Sequence, residues 1–98
     1  MLKPIYTRQF AKDLKKMQKR GKSSAPFVRG KSSKKIKNIM RDLVNESPLD
    51  VKHRDHKLIG YYKGRRECHV EADWLLIYKT TEQEIIFERT GTHSDLFD

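Results

Sequence analysis

Between residues 66 and 89 three strand-like runs follow one another with almost nothing between them. This spacing limits the possible folds more than any other feature of the chain. The runs, about 66–70, 74–80 and 84–89, are rich in β-branched and aromatic residues and centre on W-L-L-I-Y. The connectors, 71–73 and 81–83, are three residues each. Parallel strands need a crossover of a dozen or more residues, so an antiparallel meander is the economical arrangement.

Upstream, residues 2–6, L-K-P-I-Y, read as a further strand that Pro4 confines to a sheet edge or a strand start. Thr7 has the chemistry of a helix N-cap, and Phe10, Leu14 and Met17 follow at helical spacing. This predicts a helix to about Arg20 that stops at Gly21. Residues 21–33 have the composition of a basic loop. A second helix is expected over about 33–46, with Ile36, Ile39, Met40, Leu43 and Val44 as its apolar stripe. S-P-L at 47–49 ends it, because the residue before a proline avoids helical geometry. Residues 50–64 are polar and irregular, with Leu58 and Ile59 as an anchor. The hydrophobic fraction, 36%, suffices for one sheet covered by a helix or two. The expected class is therefore α+β: an N-terminal strand and two helices on one face of a mainly antiparallel sheet, in one domain over residues 1–98.

Charge narrows the partners. Lysine and arginine number 22 against 13 acidic residues, giving +9, a field that favours a polyanion or an acidic protein. Nucleic acid fits better because the basic residues come with clustered histidines and aromatics. Cys68 is alone, so no internal disulfide forms; a reducing compartment and a core position are expected. No apolar run has signal-peptide or membrane-spanning length, so a cytoplasmic protein without a membrane partner is expected. Residues 25–32, A-P-F-V-R-G-K-S, loosely match a phosphate-binding loop. They lack the buried strand before it that such a loop requires, and read better as a flexible basic segment.

All four histidines, His53, His56, His69 and His93, follow the second helix. In the meander, the run 66–70 climbs to the turn at 71–73, and the run 84–89 ends beside that turn. Arg89 and His93 are therefore expected near His69 and Asp73. His56, on the loop feeding the first of these strands, is able to fold over the same end. Imidazole titrates near neutral pH, so one histidine can take a proton while another gives one. With a cation such as Arg89 beside the phosphate, that set suits RNA cleavage by the substrate's own 2′-hydroxyl, which needs neither metal nor cofactor. Lys63 and Arg66 are further candidate phosphate contacts. Blander roles stand beside these. His53 reads as structural or surface, and Glu71 as a solvated charge at the turn. Arg89 has Glu67 and Glu88 as rival partners, and Phe97 is either a core plug or a face for a base to stack on. His56, His69, His93 and Asp73 are zinc-compatible ligand types, but no H-x₃-H or C-x₂-C spacing supports a zinc site.

The stretch D-H-K-L-I-G-Y-Y-K-G-R-R-E-C-H-V-E-A-D-W-L-L-I-Y-K, followed by F-E-R-T-G-T-H-S-D-L-F, resembles the YafQ branch of the RelE superfamily, toxins of bacterial toxin–antitoxin pairs. The likeness covers residues 55–97 in two dense blocks; the N-terminal half matches in layout only. It implies a RelE-like, microbial-RNase-like fold and an endoribonuclease that cuts messenger RNA on the ribosome. It also implies inhibition by a cognate antitoxin related to DinJ or RelB, with operator DNA reached only as the toxin–antitoxin complex. The family's catalytic histidines fall on His56, His69 and His93, its aspartate on Asp73, its arginine on Arg89 and its terminal aromatic on Phe97. The resemblance suggests His93 as general acid, His56 or Asp73 as general base, His69 as orienting or stabilising group, and Arg89 as holder of the scissile phosphate. Two departures stand out. The basic segment 21–33 is longer than in relatives, a candidate contact for ribosomal RNA or antitoxin, and Glu67 stands where some members have Asp. The rival expectations are a non-catalytic RNA- or ribosome-binding module and a metal-dependent hydrolase.

Overall fold

The structure, a computed structural model, describes residues 1–23 and 29–97, with side chains at 1–19 and 34–97. In chain order the elements are β1 (Lys3–Tyr6), α1 (Arg8–Ser23), α2 (Arg29–Val44), β2 (His56–Lys57), β3 (Arg66–Glu71), β4 (Trp74–Thr80), β5 (Glu84–Gly91) and α3 (His93–Phe97). Single 3₁₀ turns lie at Val51–His53 and Gly60–Tyr62. The five strands form one sheet in the order β1-β5-β4-β3-β2. The meander β3–β4–β5 is antiparallel throughout, β2 adds antiparallel to β3, and β1 joins β5 in parallel. This is the α+β arrangement that the short connectors predicted.

Pro4 explains why β1 stays at the edge. The N–H groups of Lys3 and Thr7 donate inward to the carbonyls of Gln83 and Phe87 at 2.9 and 3.2 Å. Alternation with period two then turns position 4 outward, and proline has no donor to offer there. Thr7 caps α1 as predicted: its Oγ1 accepts from the Phe10 N–H at 2.9 Å. The same hydroxyl donates to the Glu88 carbonyl at 3.0 Å, tying the helix start to β5. Phe10 and Met17 of α1 and Ile36, Ile39 and Leu43 of α2 pack on Cys68, Val70, Trp74, Leu76, Tyr78, Ile85 and Phe87 of the sheet. Cys68 is fully buried, and burial pushes its thiol up to about 12, as a core residue requires.

Two expectations change. The loop over 21–33 is shorter than its composition suggests, because α1 continues to Ser23 and α2 begins at Arg29; residues 24–28 lie outside the described residues. A glycine inside a helix costs about 1 kcal/mol relative to alanine, which is a bias and not a stop signal. The phosphate-loop look-alike is thereby divided, its second half forming the first turn of α2. The second change concerns the sheet's other face, which is covered as well. Leu75 and Ile77 lie under Leu96 of α3, with Leu58 and Tyr62 packed alongside. A five-residue helix is too short to register as a periodicity, so this second layer was not anticipated.

Two irregularities shape the sheet. The β4–β5 register shifts so that Ile77 faces Arg89 while Tyr78 faces Phe87, leaving Glu88 as an extra residue on β5. The β3–β4 register shifts between His69 and Glu71, and Glu71 pairs with Trp74 across a two-residue turn. Above the end of β2, the free edge of β3 is met by His53, whose Nδ1 lies 2.7 Å from the His69 carbonyl. No described helix is long and apolar enough to cross a membrane.

Candidate active site

On β3, Cys68 and Val70 point to the helices, so alternation sends Glu67 and His69 to the opposite face. β2 brings His56 directly beside Glu67. Glu67 Oε1 then lies 3.5 Å from His56 Nε2 and 3.6 Å from His69 Nε2, with its side chain almost wholly buried. His56 Nδ1 is 2.6 Å from the Arg54 carbonyl. A carbonyl can only accept, so Nδ1 carries a hydrogen and donates it there, leaving Nε2 as the nitrogen free to exchange protons. Arg54 itself sits in the left-handed region, φ 48°, at the turn that aims this carbonyl.

α3 brings in the remaining groups. Thr92 and Asp95 cap it reciprocally: Asp95 Oδ2 accepts from the Thr92 N–H at 3.0 Å, and Thr92 Oγ1 accepts from the Asp95 N–H at 3.2 Å. Asp73 reaches the helix start from the β3–β4 turn. Its Oδ1 accepts from the His93 N–H at 2.9 Å and lies 2.7 Å from His93 Nδ1. These two hydrogen bonds hold the Asp73 carboxyl below the usual carboxylate range. They also fix the His93 tautomer, leaving Nε2 to exchange protons with a substrate. The ring of His69 stands 5.9 Å from that of His93 at an angle of 60°. The result is a row, His56, Glu67, His69, His93 and Asp73, along one end of the outer sheet face.

Phe97 borders the row, its ring 6.2 Å from His93 and 5.5 Å from Tyr62. It is 45% exposed, and Leu96 is the plug instead. Arg89 is engaged by α1. Its Nε and Nη2 bond Asp13 of α1 at 2.7 and 3.3 Å, and that contact raises its pKa still further. Neither rival partner takes it, since Glu88 pairs with Arg65 at 2.8 Å and Glu67 with the histidines. Arg66 is also engaged: it bonds Asp55 at 3.2 Å beside the Tyr78 hydroxyl, near Leu2 and Leu43 on the helix side. Lys63 is exposed on the loop between β2 and β3. Glu71 pairs with Lys35 at 2.8 Å. His53 supports the His69 backbone, a structural role.

Glu67 is the member of the row that sequence reasoning passed over. The signal was present, because residues two apart on a strand share a face and Glu67 stands two before His69. Tyr62 was missed too: its hydroxyl donates to the Leu96 carbonyl at 3.2 Å, holding α3 down. Among the described residues, no group of three or more His, Cys, Asp or Glu side chains is arranged to hold a metal ion.

Residues 2–98 match the family described as a bacterial toxin of type II toxin–antitoxin system, YafQ. The chain is 45% identical over 93 residues to the mRNA interferase toxin YafQ of Escherichia coli K12, covering 94% of this chain and 91% of that one. It is similar to a chain in the crystal structure of the E. coli DinJ–YafQ complex, with a TM-score of 0.82 and 41% identity over 100% of both chains. It is also similar to a metal-bound toxin from Helicobacter pylori, with a TM-score of 0.81 and 36% identity over 99% of this chain and 100% of that one.

Proposed function

The chain belongs to the YafQ family of bacterial type II toxin–antitoxin toxins, and from that membership we propose that it is an endoribonuclease that cuts messenger RNA on the ribosome and is inhibited by a cognate antitoxin of the DinJ kind. The net charge of +9 suits a target coated in RNA phosphate.

The observation that carries the chemistry is the doubly bonded Asp73–His93 pair beside the His69 ring. In the proposed reaction the substrate's 2′-hydroxyl gives its proton to His56 Nε2 as its oxygen bonds phosphorus. The bond from phosphorus to the 5′-oxygen breaks, and His93 Nε2 protonates that leaving oxygen. The products are a 2′,3′-cyclic phosphate and a 5′-hydroxyl. Asp73 is engaged by His93 twice, which favours His56 over Asp73 as the base and makes Asp73 an orienting group. His69, backed by the buried Glu67, supplies the charge that stabilises the phosphorane oxygens. Arg89 acts at one remove, by bracing β5 against α1 through Asp13.

The test is cleavage of translated messenger RNA by purified protein, with the ends mapped and their chemistry determined. His93→Ala should lower the rate by about 10²- to 10⁴-fold. Wild-type activity should survive a chelator. New ends lacking a cyclic phosphate, activity lost with chelator, or an equally active variant would each overturn this mechanism.

A further inference from the structure

The loop between β2 and β3 shows two large apolar side chains to solvent: Ile59 is 88% and Tyr61 92% exposed. An isolated exposed apolar residue needs no explanation. Here, however, the exposure is built. The loop is closed by backbone hydrogen bonds, Leu58 N–H to the Arg65 carbonyl at 2.9 Å, and Lys63 N–H to Gly60 and Arg65 N–H to Tyr62 at 3.0 Å each. Gly60 and Gly64, at φ 72° and 91°, make the reversals that only glycine takes readily. Tyr61 is thus held outward on a braced turn.

Its ring also continues a series. Tyr61 meets Tyr62 edge-on at 5.1 Å, Tyr62 meets Phe97 at 5.5 Å, and Phe97 meets His93 at 6.2 Å. Aromatic rings therefore lead from the row of histidines out to the tip of the loop, with Phe97 and Tyr61 exposed and Tyr62 packed between them. Tyr61 and Tyr62 also line a groove of about 490 Å³ with Arg65 and Arg89. Both arginines are already paired, with Glu88 and Asp13, so this groove is not chiefly a phosphate site. Its distinguishing feature is the aromatic face, and single-stranded RNA is bound by stacking bases on such faces.

We propose that Tyr61, with Ile59 beside it, is a stacking platform for a nucleobase of the messenger RNA flanking the cut, and that it contributes to the choice of cleavage site. The inference rests on the endoribonuclease reading. Its test is read in two ways so that the two can fail separately. The first readout is binding of an uncleavable 2′-O-methyl RNA carrying 2-aminopurine, whose fluorescence is quenched on stacking. The second is the map of cleavage sites on translated messenger RNA. Tyr61→Ala removes little buried surface and should leave the fold intact. It should lose the quenching and weaken binding about 5- to 100-fold, with Tyr61→Trp restoring both. In the cleavage map it should raise KM more than it lowers kcat and should redistribute the sites used. Unchanged quenching and binding in Tyr61→Ala overturns the proposal even if the wild type cleaves. Loss of antitoxin binding alone, with RNA binding intact, assigns the loop to a protein interface and overturns it as well. A wild type that binds and quenches but never cleaves upholds the platform and sinks the endoribonuclease reading.

Discussion

Two residues carry more of the site than their size suggests. Asp73 joins the β3–β4 turn to α3 through a single carboxylate oxygen that serves both the backbone and the ring of His93. Its carboxyl is held below the usual range, so the tether is complete above the ordinary aspartate pKa and is lost as pH falls through the lower folded value. The side-chain carboxyl resonance of Asp73, followed by NMR, should titrate below about pH 4. Gly91 is the second. A Cβ there would sit 3.0 Å from Asp95 Oδ2 and 3.1 Å from Asp95 Cβ, displacing the residue that caps α3. Gly91→Ala should destabilise the protein by about 1–2 kcal/mol in urea unfolding and depress cleavage beyond that loss. At this scale the sequence was readable where a residue acts through its neighbours in the chain, as Thr7 does in capping α1. It was unreadable where the effect depends on register. The extra residue at Glu88 and the reach of Asp13 from α1 decide what Arg89 pairs with, and neither leaves a local mark.

The meander strands were legible because their runs are apolar and their connectors too short for anything but hairpins; the two-residue β2 lay hidden in the polar 50–64 segment, which read as irregular. Helix ends were not, since Gly21 and the serines around it bias against helix without forbidding it. α3 hid for a different reason: its only signature is the T-H-S-D cap at 92–95, which carries no apolar repeat. Pro4 was read correctly as an edge residue, and its position suggests what it prevents. Pro4→Val would place an N–H on the open side of β1, and exposed edges of that kind recruit other strands. The variant should remain folded but show concentration-dependent association by light scattering, where the wild type shows less.

Across the whole molecule the sheet is a wall between two unlike layers. One is a conventional core under α1 and α2; the other is a thin cover of Leu58, Tyr62 and Leu96 that leaves the histidines accessible. Cys68 lies on the conventional side, fully buried and with its thiol pushed up to about 12. It should resist alkylation at pH 8 in the native protein and react promptly once the chain is unfolded, as mass spectrometry would report. The same wall sets the order in which the site can be assembled. His69 and Asp73 belong to one hairpin, a local structure that forms early and cheaply. His93 is presented only after β5 has taken its place, and β5 completes the sheet by pairing Lys3 with Glu84, partners from opposite ends of the described chain. Contacts of that separation form late in folding. A half-folded chain therefore holds the stabilising His69 and the orienting Asp73 without its acid, and catalytic power arrives with the last long-range closure of the sheet.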